Sequence, residues 1–95
     1  MAISERTLIE RISRFLKSFE ARGIEPGRWE GYCVARALEA LTIRDIAAGE
    51  FLIDLAKMPP ELRSSDTLPE FSPSNPPIPL SQLASDLARI RSTNL

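Results

Sequence analysis

Histidine is absent from this 95-residue chain, while cysteine, tryptophan and tyrosine each occur once and glycine only four times. Without an imidazole the commonest general base is missing, and Ser-His and Cys-His nucleophile arrangements are excluded. Cys33, the lone cysteine, has no partner for an internal disulfide, and a tetrahedral zinc site is left almost without ligands. Neither a metal nor a cofactor is expected. A reducing compartment suits this cysteine usage, and the chain is read as cytoplasmic. Long apolar runs are missing too. None approaches the ~20 residues that span a bilayer, and Met1 to Arg6 lacks the apolar centre of a signal peptide, so no membrane association is expected. Charge of one sign is also scarce. With 12 basic and 13 acidic residues the net charge is -1, which supplies no overall field toward nucleic acid.

A hydrophobic fraction of 43% and a charged fraction of 26% are those of a chain that packs a core. A domain this short buries a limited share of its surface, so help from a partner or a second copy fits its size. The clearest element covers residues 4–23, where Leu8, Ile12, Phe15, Leu16 and Phe19 recur at three- and four-residue spacing. Ser4 stands at its N-cap, Ile3 and Leu8 at staple positions, and Gly23 where a left-handed terminator belongs, with Ile24 folding back toward Phe19. Pro26 stops the first helix and opens a second, in which Trp29, Tyr32, Cys33, Ala37, Leu38 and Leu41 share a face. Thr42 and Asp45 resemble a capping box, which breaks the chain near Leu41 and starts a third helix at Ile43. The competing parse continues helix 2 to Gly49.

Helix 3, Ile43 to about Lys57, carries Phe51, Leu52, Ile53 and Leu55 over much of its circumference, a composition that calls for partners on more than one side. Pro59 and Pro60 end it. Seven of the eight prolines then fall between Met58 and Pro79, the composition of an extended linker, with Leu62, Leu68 and Phe71 as candidate pins to the core. Leu80, Leu83, Leu87 and Ile90 restore the three-four spacing in a short terminal helix, which at roughly twelve residues needs docking to be stable. The expected architecture is all-α: a three-helix bundle over about 4–57 (1–58 as a unit), a proline-rich arm over 59–79, and a C-terminal amphipathic helix over 80–92.

Candidate chemistry is sparse. Asp45, Glu50 and Asp54 read as solvated surface carboxylates, Cys33 as a small packing residue, and Gly23, Gly27 and Gly31 as turn and close-packing positions without the Lys-Ser/Thr of a phosphate loop. Helix 1 carries Arg6, Arg11, Arg14, Lys17 and Arg22 interspersed with Glu5, Glu10 and Glu20, a solvated face. Helices 2 and 3 have helix-turn-helix spacing, but Phe51, Leu52 and Ile53 occupy positions where a groove reader needs polar and basic side chains. The work left by exclusion is binding. The expected role is a non-enzymatic regulatory or adaptor protein that presses an apolar face onto a larger protein, for example masking a transcription regulator. The candidate contacts are Leu80, Leu83, Leu87, Ile90, Phe51 and Leu52. A DNA-binding regulator using helices 2 and 3, and a structural subunit or homo-oligomer, are the alternatives.

Overall fold

The computed structural model describes residues 3–63 and 75–94. Among these are four α-helices, α1 (Glu5–Arg22), α2 (Arg28–Thr42), α3 (Ile46–Ala56) and α4 (Leu80–Asn94), and one 3-10 turn at Pro60–Leu62, with no strand. Residues 64–74 of the proline-rich stretch, with Leu68 and Phe71, lie outside the described residues.

Local chemistry sets the ends of α1 as the sequence leads one to expect. The Ser4 hydroxyl accepts from the Thr7 amide at 3.1 Å, and Gly23 is left-handed at φ 66°. Ile24 N–H reaches the Phe19 carbonyl and Gly23 N–H the Glu20 carbonyl, both at 3.1 Å, the paired bonds of a Schellman ending. A Cβ on Gly23 would meet nothing within 4 Å, so backbone conformation alone calls for glycine here.

The α2–α3 junction falls close to its expected place but is built differently. Arg44 N–H bonds the Leu41 carbonyl at 3.0 Å and Asp45 N–H the Ala40 carbonyl at 2.8 Å. This is a second Schellman ending, with Arg44 in the left-handed position at φ 59°. The N-cap of α3 is Asp45, which accepts from the Ala48 amide at 3.2 Å, while the Thr42 hydroxyl turns back to the Leu38 carbonyl. The expected cap at Thr42 and start at Ile43 are therefore corrected to Asp45 and Ile46. The Schellman bonds extend the ending through residues 43–45, and only then can a new first turn begin.

One core holds the chain together. Leu8, Ile12, Leu16, Trp29, Val34, Leu38, Leu41 and Ile53 pack in a single cluster that also includes Leu83 and Leu87 of α4. Helix α1 packs on α3 and α4, and α2 packs on the same two, so the ring order around the core is α1, α3, α2, α4. Gly49 marks the tightest approach: a Cβ there would stand 2.5 Å from Leu8 Cδ2. The terminal helix is thus a wall of the core. It runs to Asn94, two residues beyond the expected end.

The described residues on either side of 64–74 are fastened near the start of α2. On the outgoing side, Arg63 stacks 5.5 Å from the Trp29 ring centroid and pairs with Glu30 at 2.9 Å, while Trp29 Nε1–H donates to the Leu55 carbonyl at 2.7 Å. On the return, Arg28 donates to the Asn75 carbonyl and the Tyr32 hydroxyl to the Pro76 carbonyl. Ile78 lies over Gly31, where the missing side chain lets the extended backbone come close. Glu25 Oε1 then accepts the Leu80 amide at 2.7 Å, satisfying a donor in the first turn of α4. Leu62, expected to pin the segment, is 66% exposed. Arg63 and Trp29 make the anchor in its place, through a cation stacked on an aromatic face.

Candidate functional site

The six residues singled out by sequence separate into two groups. Leu83 and Leu87 are buried in the chain's own core, and Leu80 and Ile90 are half-buried against it. Their stripe faces α1 and α2, as a marginal amphipathic helix requires for its stability. Phe51 and Leu52 lie elsewhere. Phe51 is 62% exposed on the outer face of α3, and Leu52 is half-buried beside it.

The periodicity of α3 explains this face. Gly49, Ile53 and Ala56 turn inward, and a helical period then sends Ala47, Phe51 and Asp54 outward, all three exposed. Leu55 is also buried in the core cluster, and its carbonyl accepts from the Trp29 indole N–H. Ile53, weighed with Phe51 and Leu52 against a DNA-reading helix, is fully buried. On the flank between α3 and the end of α2 runs an open groove of about 380 Å³, lined by Ala40, Ile43, Ala48 and Leu52 with Arg36, Glu39 and Asp45 at its rim. Ile43 is 75% exposed. The wall residues Ala40 and Ala48 are small, which leaves the groove open. No protein-family model, curated protein or solved structure matches this chain.

The remaining candidates have structural neighbours. Cys33 is fully buried within the core cluster. Glu50 pairs with Arg11 of α1 at 3.4 Å, and Glu5 with Arg44 at 3.2 Å, so two of the surface carboxylates tie helices together. Exposed pairs of this kind contribute little, about 0–1 kcal/mol. No described side chain that is polar or charged is buried, and no group of three or more His, Cys, Asp or Glu residues is placed to hold a metal among the described residues. No described helix is long and apolar enough to cross a membrane.

Two features of the face escape sequence reasoning. Ile43 reads as the first residue of helix 3, whereas it caps the end of α2 and has no helix to bury it. The sequence carries no signal for it, because the residue that turns left-handed after Ile43 is Arg44 and not a glycine. The groove also needs Ala40 of α2 opposite Ala48 of α3, and that pairing exists only after the α2–α3 turn is folded.

Proposed function

We propose that this chain is a small non-enzymatic protein–protein interaction module of the cytoplasm, a regulatory or adaptor protein that presses the outer face of α3 onto a larger protein, as one masking a transcription regulator would. In this reading α1, α2 and α3 form a bundle, residues 59–79 are the arm that returns α4 to it, and the binding work falls to Phe51, Leu52 and Ile43. The observation that carries it is the exposure of Phe51 on the outer face of α3 and of Ile43 in the small-walled groove between α2 and α3. A contiguous apolar patch with a polar rim is how protein-binding surfaces are built, and an aromatic ring at its centre is the usual energetic anchor.

The same face argues against the DNA-binding alternative. Helix α3 contains no lysine or arginine, and its exposed side chains are Ala47, Phe51 and Asp54. A major-groove reader needs donors there and cations near the phosphates. A structural subunit of a larger assembly uses the same surface and differs only in the permanence of the complex.

Size fractionation of source-cell extract tests the proposal. The wild-type chain should elute well above its 10.6 kDa mass, and the double variant Phe51→Ser with Ile43→Ser should elute as the free protein with an unchanged melting temperature. Elution of the double variant with the wild type would contradict the assignment of this face.

A further inference from the structure

We propose that the cleft between α1 and α4 binds the dianionic phosphate group of a small molecule through Arg14, Lys17, Arg91 and the Ser13 hydroxyl. The cleft lies across the bundle from the α2–α3 groove, so the proposal stands apart from the reading of the α3 face.

The fold brings these residues together. Glu25, just past the end of α1, accepts the Leu80 amide, so α4 starts beside the end of α1 and packs back along it. Arg91 then stands about 16 Å along α4 from Leu80, at 1.5 Å per residue, level with the middle of α1. There it lines an open cleft of about 280 Å³ with Glu10, Ser13, Arg14 and Lys17. Ser13 is half-buried and the four charged residues are exposed.

Elsewhere the cations of this chain are engaged. Five arginines pair with carboxylates, Arg22 lies over the Phe19 ring, and Arg28 donates to the Asn75 carbonyl. Arg14, Lys17 and Arg91 form no ion pair or side-chain hydrogen bond among the described residues, and the Ser13 hydroxyl is likewise without a partner there. Glu10 lines the same cleft and pairs with none of the three, so three cations and one carboxylate leave it a net charge of +2. A solvated face accounts for single unpaired cations. Three that converge from two helices, in a chain whose net charge is -1, repel one another until an anion joins them.

The charge selects the ligand. A phosphate monoester carries about -1.5 to -2 near neutral pH and offers three acceptor oxygens, which matches the cleft in sign and size of charge. Guanidinium groups meet such oxygens with forked N–H pairs, and lysine adds a point charge. A phosphodiester, as in a nucleic-acid backbone, brings one negative charge per phosphate and matches half. The cleft is also smaller than the ~300–1,000 Å³ of sites that enclose a whole drug-sized ligand, so it takes the phosphate group and the first atoms attached to it.

Chemical-shift titration of the isotope-labelled full chain at low ionic strength tests this, with inorganic phosphate, phenyl phosphate and the diester dimethyl phosphate as probes. The first two should move the signals of Ser13, Lys17 and Arg91 saturably, with dissociation constants on the order of 1 mM. Dimethyl phosphate should bind at least about tenfold more weakly. Lys17→Gln and Arg91→Gln should each weaken phenyl phosphate by about two- to fivefold, Glu10→Gln should tighten it by a similar factor, and Lys57→Gln, an exposed cation outside the cleft, should leave it unchanged. Tighter binding of phenyl phosphate than of inorganic phosphate identifies an ester as the ligand, and equal binding identifies the free ion. The absence of a saturable shift up to about 50 mM, far above that constant, would overturn the proposal. So would a diester that binds as well as the monoester, an effect of Lys57→Gln equal to that of Lys17→Gln, or a Glu10→Gln variant that binds no tighter.

Discussion

Replacing Leu83 by alanine should separate a terminal helix that closes the core from one that merely rests on it. Leu83 is fully buried in the cluster formed by α1, α2 and α3. The substitution removes three carbons, worth about 0.8 kcal/mol each in transfer free energy, or about 2.4 kcal/mol together. The cavity left in a core with fixed neighbours raises this to about 3–4 kcal/mol, inside the span measured for buried Leu→Ala changes. A chain of this length has a total stability of about 5–14 kcal/mol, so the loss is a large part of it. The melting temperature should fall by roughly 12–32 °C. Leu80, half-buried at the first residue of α4, supplies the control, and its alanine variant should lose about 1 kcal/mol. The assay is urea unfolding followed by far-ultraviolet circular dichroism, with the midpoint and slope fitted for each variant. A Leu83→Ala loss below about 1 kcal/mol, or one no larger than that of Leu80→Ala, would show that α4 is not a wall of the core.

Three further outcomes follow from single positions. Gly23→Val and Arg44→Val each force a β-branched residue into the left-handed region and should cost on the order of 1–2 kcal/mol in thermal melts, whereas Arg44→Gly should not destabilise by more than about 0.5 kcal/mol, and equal effects at position 44 would refute the second Schellman ending. Gly49→Ala gains about 1 kcal/mol in helix propensity, but its Cβ would stand 2.5 Å from the buried Leu8 side chain, so the expected result is a net loss of about 1 kcal/mol, and a rise in stability would mean that α1 and α3 are less closely packed. Cys33, with no exposed surface, should react slowly with an aromatic disulfide reagent in the native protein and at the rate of a free thiol in denaturant, while fast native labelling would place it at the surface.

How far the fold is legible in the sequence varies with the range of the interaction. Ser4, Gly23 and the Leu8-Ile12-Leu16-Phe19 repeat act within one or two turns, and each does in the structure what its spacing implies. The α2–α3 junction is harder, because Thr42 and Asp45 are both competent caps and the choice is made by Arg44 entering a left-handed conformation that a sequence reader reserves for glycine. The position of α4 was open on sequence grounds between this bundle and another chain. Its docking depends on contacts such as Glu25 with the Leu80 amide and Ile78 over Gly31, which join residues 47 or more positions apart and leave no periodic trace. For the candidate site, Phe51 and Leu52 stood out as apolar residues in excess of what one inward face needs. Ile43, Ala40 and Ala48 complete the groove only in three dimensions.

The measurement that bears most directly on the proposed role is photocross-linking from position 51 in living source cells, with the photoreactive side chain replacing Phe51 in one strain and exposed Lys17 of α1 in another. The account predicts one discrete adduct from position 51, of constant mass and absent from position 17. An adduct of twice the chain's mass identifies a second copy, and one of another mass identifies a different protein. The same diffuse background from both positions, with no discrete adduct from 51, would contradict the claim that the outer face of α3 is where this protein does its work.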